Sequence, residues 1–327
     1  MYRWHDSVFA LKSQRDGAAL CFLLNSSDNS WSEVPLTGVP QGYFWDWPAI
    51  DQDSDRVCFK QDYMEDDQLV MSVLVGRLTV NEGLATRDAT EKKWRTDKKS
   101  LLGETGPNVR LSEPGKRIWP AFGMSFILHG AELYIPYSVA GLEVTHSGKT
   151  LVTDGSKGPF KNGVLHSADL GKTWQVEQIS DRQAWSPSVC MSKENCYYFA
   201  VKLNDGRDQL WFARKPLTGG SWDAPILVTK TYVYGYIAAP QGDTVHLCWL
   251  DRRHEKRRLN LLDPDRNNFE VAYCQRKDSD ANWSKDVILS EGLLYSYSPS
   301  MSVEGDKIVV AWAGVQKAKD WHKFRSE

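Results

Sequence analysis

Ser167-Ala168-Asp169-Leu170-Gly171-Lys172-Thr173-Trp174 reads S-x-D-x-G-x-T-W, and this stretch decides the fold class. Asp169 and Ser167 are side chains that bond nearby backbone N–H groups, as in Asx- and ST-turns. Gly171 supplies a backbone position that a residue with a Cβ would strain. Trp174 then opens the next strand and buries a large ring. The octet therefore predicts a closed β-hairpin stapled to its neighbours.

Weaker echoes of the octet recur along the chain. Asn25-Ser26-Ser27-Asp28-Asn29-Ser30-Trp31 keeps Ser, Asp and Trp, and Asp88-Ala89-Thr90-Glu91-Lys92-Lys93-Trp94 keeps the outline. Gly220-Ser221-Trp222 and Asp278-Ser279-Asp280-Ala281-Asn282-Trp283 close two further units. Each unit begins with an aromatic-rich segment and continues through short apolar strands. Examples are Arg117-Ile118-Trp119-Pro120 then Glu132–Tyr137, Trp185–Val189 then Tyr197–Val201 and Leu210–Ala213, and Tyr236–Pro240 then Val245–Trp249 and Val271–Cys274. The last unit, Ser298–Val303 then Lys307–Trp312, stops after two strands. Helical periodicity is missing. Short β-branched and aromatic runs between Gly, Asp, Asn and Pro turns dominate.

These features predict an all-β chain folded as a single β-propeller over residues 1–327, with six blades, or five as the alternative. The N-terminal strands near Val8–Leu11 and Ala18–Leu24 are expected to complete the last blade, so that N- and C-terminal strands close the ring. The segment 81–113, with Lys92-Lys93 and Lys98-Lys99, reads as a charged loop insertion at a blade edge.

Composition narrows the function classes. The net charge is −2, with acids and bases interspersed, which argues against a nucleic-acid surface. No apolar run approaches the roughly 18 residues of a membrane span. The N-terminus Met-Tyr-Arg-Trp-His-Asp lacks an apolar signal region, so a cytoplasmic protein is expected unless the N-terminus has been processed. Cys21, Cys58, Cys190, Cys196, Cys248 and Cys274 sit in apolar, strand-like settings and read as reduced core thiols. Cys190 and Cys196 flank a turn, which leaves a cross-strand disulfide open for an exported protein. No CxxC pair or HExxH occurs, so no metal site and no cofactor are expected.

The S-x-D-x-G-x-T-W stretch and its echoes resemble the Asp-box, or BNR repeat, of sialidase-like β-propellers. The resemblance runs from about Val8 to Trp312. It implies that ligands bind where the innermost strand of each blade begins, a fold-level analogy. That face would carry Tyr43-Phe44-Trp45-Asp46-Trp47, Arg117-Ile118-Trp119, Gln183-Ala184-Trp185, Tyr232-Val233-Tyr234-Gly235-Tyr236 and Tyr295-Ser296-Tyr297. Trp45, Trp47, Trp119, Trp185, Tyr234 and Tyr236 suit the C–H faces of sugars, or alternatively pack blade against blade.

Loops between second and third strands add Asp62-Tyr63-Met64-Glu65-Asp66 and Asp251-Arg252-Arg253-His254. Trp249-Leu250-Asp251-Arg252-Arg253 resembles a W-x-D-x-R stretch common in such repeats. An Arg held by Asp251 grips a carboxylate, or else forms a blade-to-blade ion pair. The family's enzymes clamp the substrate carboxylate with three arginines and use a Tyr nucleophile, a Glu partner and an acid/base Asp. By resemblance, Arg117 and Arg253 are clamp candidates, Tyr295 or Tyr297 the nucleophile, and Asp46 or Asp62 the acid/base; Arg252 is counted with the substrate-binding residues. Asp181-Arg182-Gln183 stands where the Glu is expected, so the catalytic set is incomplete.

Two readings follow. One is a glycan-directed propeller, either a divergent glycoside hydrolase or a carbohydrate binder, acting on a glycan or small acidic ligand. The other is a non-catalytic scaffold for a protein partner.

Overall fold

The computed structural model describes residues 2–4, 7–13, 19–25, 27–34, 36–37, 48–51, 53–65, 68–80, 84–95, 118–122, 125–141, 144–147, 150–153, 161–182, 184–204, 207–253, 269–290 and 295–315. Among them there are only strands and turns, so the chain is all-β. They divide into two compact units, Met1–Gln183 and Ala184–Glu327. Among the described residues no helix is long and apolar enough to cross a membrane.

In the first unit, β1 (Tyr2–Trp4), β2 (Ser7–Ser13), β3 (Ala19–Asn25) and β4 (Ser30–Val34) form a four-stranded antiparallel sheet in chain order. A second sheet runs β6 (Ala49–Asp51), β7 (Arg56–Glu65), β8 (Gln68–Val80) and β9 (Leu84–Arg95). Its edge is extended by the two residues of β5 (Leu36–Thr37), parallel to β9. A third sheet has β10 (Ile118–Phe122) and β11 (Ile127–His129) both pairing with β12 (Glu132–Gly141), followed by β15 (Lys161–Ser167) and β16 (Gln175–Ser180). Between them β13 (Val144–Ser147) and β14 (Thr150–Thr153) make a separate hairpin.

The second unit repeats one form. β17 (Ala184–Met191), β18 (Asn195–Asn204), β19 (Arg207–Pro216) and β20 (Ile226–Leu227) make one up-and-down sheet. β21 (Val233–Gln241), β22 (Thr244–Asp251), β23 (Glu270–Lys277) and β24 (Val287–Ile288) make the next, and β25 (Tyr295–Glu304) with β26 (Lys307–Val315) a third of two strands. The first strand β21 packs against both β17 and β25, so the sheets lie side by side along their first strands, as blades do.

Turns link the sheets. Lys193 N–H donates to Gly242 O at 2.8 Å, and Gln241 Nε2 donates to Gly305 O, so each inner hairpin holds the next. In the first unit Arg56 Nη1 donates to Gly130 O at 2.6 Å, while Gly130 N–H donates to Asp51 Oδ2 at 2.8 Å. Gly130, Gly242 and Gly305 all sit at φ between 56° and 59°, a conformation glycine adopts without strain.

The apolar periodicity fills the spaces between sheets. Tyr197, Phe199, Leu210 and Phe212 pack on Val245, Leu247, Trp249 and Ala272 of the next sheet. Cys248, Leu250, Phe269 and Val271 pack on Met301, Val310 and Trp312. In the first unit Leu133, Ile135, Tyr137, Leu165 and Trp174 pack with Cys58, Val73 and Val75. All six cysteines are buried, and none is in a disulfide. Cys190 faces Tyr197 and Cys196 faces Met191 across the ladder, and burial pushes the Cys248 thiol up to about 12.

The 167–174 turn closes as the octet predicts. Ser167 Oγ donates to Asp169 Oδ1 at 2.8 Å and accepts from Gly171 N–H at 2.8 Å. Thr173 donates to Asp169 through N–H at 2.8 Å and Oγ1 at 2.7 Å. Gly171 has φ 82°, and Trp174 Nε1 donates to Gly171 O at 3.0 Å while its ring is buried. Leu170 is left-handed too, at φ 58°, and its N–H donates to Ala131 O.

Two expectations need correction. The weak echo at Asp88–Trp94 is no turn; it lies inside β9, with Trp94 opposite Met71 and Glu91 opposite Leu74. For the same reason residues 84–95 are strand, and the charged loop insertion fails over that stretch. The apolar β8 supplies a ladder that composition could not show, and charged side chains are tolerated near a sheet edge. Separately, the terminal strands stand in different sheets among the described ladders: β1–β4 form their own, and β25 pairs with β26.

Candidate functional site

In the second unit the first strands share a device at their starting ends. Trp185 faces Val201 and Ser188 faces Phe199, so Ser186 and Pro187 together oppose Ala200. Val233 faces Asp251 and Tyr236 faces Trp249, so Tyr234 and Gly235 oppose Leu250. Tyr297 faces Ala313 and Ser300 faces Ala311, so Ser298 and Pro299 oppose Trp312. Each is a β-bulge near the start of its strand. Proline and glycine suit it, because a bulged residue gives up a ladder bond and bends the strand. Ser186 takes φ 47° there.

Two rings at these bulges are exposed, Trp185 just before the first and Tyr234 within the second. Trp185 is 46% exposed and Tyr234 51% exposed, unusual for rings beside so many fully buried ones. Tyr234 also packs on Phe269, with ring centroids 5.3 Å apart.

Tyr236 is used differently. Its hydroxyl accepts from Ser188 Oγ at 2.9 Å and lies 2.5 Å and 3.0 Å from the carbonyls of Ser186 and Phe199. It clamps β21 to the bulge of β17, and its hydrogen-bonding capacity is spent within the protein.

Asp251 is fully buried at the end of β22. Its carboxylate accepts from Trp249 Nε1 at 2.8 Å, Thr231 Oγ1 at 2.7 Å and Arg253 N–H at 2.8 Å. Arg253 adds a two-pronged grip, Nε to Oδ1 at 2.9 Å and Nη2 to Oδ2 at 2.7 Å. Burial alone would raise this carboxyl. The donors from Arg253, Thr231 and Trp249 outweigh burial and hold it below the usual carboxylate range. Arg253 Nη2 also bonds Asp286, so one guanidinium serves two carboxylates, and its own pKa is raised, first by Asp251.

Arg252 is buried, with its guanidinium carbon 4.5 Å from the Tyr232 ring and 4.7 Å from the Phe269 ring. Tyr232 is pushed up by burial first and then by its hydrogen bond to Asp208. The result is a layered stack of Tyr232, Arg252, Phe269 and Tyr234 beneath the exposed rim.

The structure thus brings Tyr234, Tyr236, Asp251, Arg252 and Arg253 to the strand-start end of one sheet, with Trp185 on the neighbouring sheet at the matching position. Tyr295 and Tyr297 begin β25 at that end, opposite Val315 and Ala313. In the first unit Asp62 lies within β7 opposite Met71, and Trp119 within β10 opposite Ala140. Trp45, Asp46, Trp47 and Arg117 lie outside the described residues. Sequence reasoning missed Asp208, Phe269 and Asp286. Phe269, between Asn268 and Glu270, and Asp286, between Lys285 and Val287, belong to no motif, and only folding pairs them with Arg252 and Arg253. Among the described residues no group of three or more His, Cys, Asp or Glu is placed to hold a metal ion.

No family model and no curated protein matches the chain. Solved structures similar to it include a phage phi92 endosialidase, at TM-score 0.49 and 11% identity over 92% of this chain and 59% of that one. A Synechocystis apocarotenoid oxygenase follows at TM-score 0.47 and 10% identity, covering 95% of this chain and 64% of that one. A Bacteroides ovatus xyloglucan PUL GH43B has TM-score 0.36 and 11% identity, covering 73% and 40%. The chain spans less than two thirds of each of these proteins.

Proposed function

We propose that this chain is a glycan-directed β-propeller of the Asp-box kind whose second unit binds carbohydrate at the rim formed by Trp185 and Tyr234. The observation that carries the reading is the pair of exposed rings near the start of neighbouring first strands, Trp185 beside one β-bulge and Tyr234 within the next. Exposed aromatic faces stack on the apolar C–H faces of pyranose rings, and bulges commonly re-aim side chains at such sites.

The described residues support binding over hydrolysis. Asp251 is fully buried and accepts five hydrogen bonds, which suits a structural anchor rather than an acid that trades protons with a substrate.

The test is a glycan array read with the whole chain, followed by titration of the best hit by tryptophan fluorescence. Binding that disappears in both Trp185→Ala and Tyr234→Ala, with the fold intact, supports the proposal. A chain that binds no glycan on the array refutes it. Fluorogenic glycosides, run alongside, report whether turnover accompanies binding.

A further inference from the structure

We infer that the rim prefers neutral glycans, and that Asp286 is the residue that sets this preference; the inference rests on the glycan-binding reading above. An arginine that recognises an acidic sugar needs guanidinium hydrogens and net positive charge directed at the ligand. Neither described arginine of the 251–253 stretch has its charge to spare.

Arg253 is committed on two sides. Asp251 takes Nε and Nη2 in a two-pronged grip, and Asp286 takes Nη2 again. Two carboxylates around one guanidinium leave that cluster with one net negative charge. Arg252 lies beneath the surface between the Tyr232 and Phe269 rings, and Asp208 bonds the Tyr232 hydroxyl beside it. Its charge is spread into the aromatic stack and offset by a nearby acid. A carboxylate or sulfate arriving at this edge would meet like charge, with Nε and Nη2 of Arg253 already held by Asp251 and Asp286. An uncharged pyranose meets rings and pays no such cost.

Asp286 and Asp251 do not contribute alike. Asp251 is fully buried and holds Thr231, Trp249 and the backbone of Arg253, so the local fold needs it. Asp286 is 30% exposed and bonds the Arg253 guanidinium, so removing its charge changes the electrostatics and leaves Asp251 in place.

The experiment uses matched oligosaccharide pairs that differ by one acid: galactose-terminated chains with and without a terminal sialic acid, and methyl-esterified against free oligogalacturonate. Affinities are measured at low and at physiological salt. The neutral member of each pair is expected to bind at least about tenfold more tightly, with the gap widest at low salt. Asp286→Asn is expected to shrink the gap by strengthening acidic-ligand binding, because it removes one negative charge beside Arg253. Asp286→Glu keeps the charge and is expected to keep the gap; a thermal melt of both variants establishes that they fold. Acidic members binding equally or better in the wild-type chain overturn the inference while leaving glycan binding standing. Wild-type selectivity that Asp286→Asn does not change removes Asp286 from the account. Failure of every member, neutral and acidic, overturns the glycan-binding reading itself.

Discussion

Ser192 donates its hydroxyl to both carboxylate oxygens of Asp278, at 2.7 and 2.8 Å, and so ties the β17–β18 turn to the residue that follows β23 in the next sheet. Tyr197 Oη adds a bond to Asp278 at 2.8 Å and Glu194 N–H another at 3.2 Å. Arg214 Nη1 donates to the Asp278 carbonyl at 3.1 Å. The degenerate 278–283 echo therefore aims its leading acid at a neighbouring sheet, whereas Asp169 serves its own turn.

Replacing Asp278 with Ala should lower stability by about 2–3 kcal/mol, because a buried charged acceptor with several donors is lost and those donors are left unmet. Asp278→Asn keeps an acceptor and should cost less. Urea unfolding of the full chain measures both. An Asp278→Ala midpoint equal to wild type would show that the sheets do not depend on this staple.

Two glycines should differ in cost. A Cβ on Gly163 would lie 1.9 Å from the backbone carbonyl oxygen of Glu177, in a ladder that cannot yield without moving β16. Gly163→Ala should cost about 1–3 kcal/mol as an overpacking change. Gly242→Ala, with open space around its Cβ position, meets only the left-handed backbone penalty, about 1 kcal/mol. Thermal melts should rank Gly163→Ala as the less stable; the reverse order would contradict the close approach at Glu177.

The two tyrosines of Tyr234-Gly235-Tyr236 should separate binding from stability. Tyr236→Phe removes a hydroxyl that serves Ser188 and the carbonyls of Ser186 and Phe199, and should cost about 1–2 kcal/mol. Tyr234→Ala and Trp185→Ala sit on exposed positions and should stay within about 0.5 kcal/mol of wild type. Denaturant midpoints compared with ligand titrations decide it: a large stability loss in Trp185→Ala would make that ring structural.

Acid should weaken the protein in two windows. Burial pushes His246 below its ordinary value, with Nδ1 2.8 Å from Tyr273 Oη and Nε2 3.0 Å from Gln241 Oε1. The unfolded chain then binds a proton near pH 6.5 that the native state refuses, so stability falls as pH drops below about 6.5. Above that pH both states hold a neutral imidazole and the contribution is flat. Asp51, Asp169 and Asp251 are held below the usual carboxylate range by their donors, against the opposing effect of burial. Their stabilisation is complete well above about pH 4 and is lost as pH falls further. Melting temperature against pH should show both descents, and His246→Gln should flatten the upper one. An upper descent unchanged in that variant would assign it to another group.

Much of the second unit was legible before folding. Tyr197–Val201, Leu210–Ala213, Val245–Trp249 and Val271–Cys274 lie inside β18, β19, β22 and β23, because short apolar runs rich in aromatic and β-branched residues between turn residues favour strands. Ser167, Asp169, Gly171 and Trp174 perform the roles their chemistry implies, because every partner lies within a few residues. The echo at Asp88–Trp94 was misleading for the opposite reason: its strand is imposed by β8, and a sparse Asp–Trp spacing cannot report a partner strand. Asp251 and Arg253 could be read as a pair from their spacing, but Asp286 enters from 33 residues away in sequence.

The sequence by itself determined the all-β class, the repeated up-and-down sheets and the 167–174 turn, since these rest on local periodicity and on hydrogen bonds between near neighbours. Only the tertiary structure decided what the polar and aromatic residues do. It left Trp185 and Tyr234 exposed at bulges, consumed Tyr236 as a clamp and neutralised Arg253 between two carboxylates. Those outcomes depend on which groups meet across sheets, where burial, paired charge and donor satisfaction are set by distant partners that no local pattern encodes.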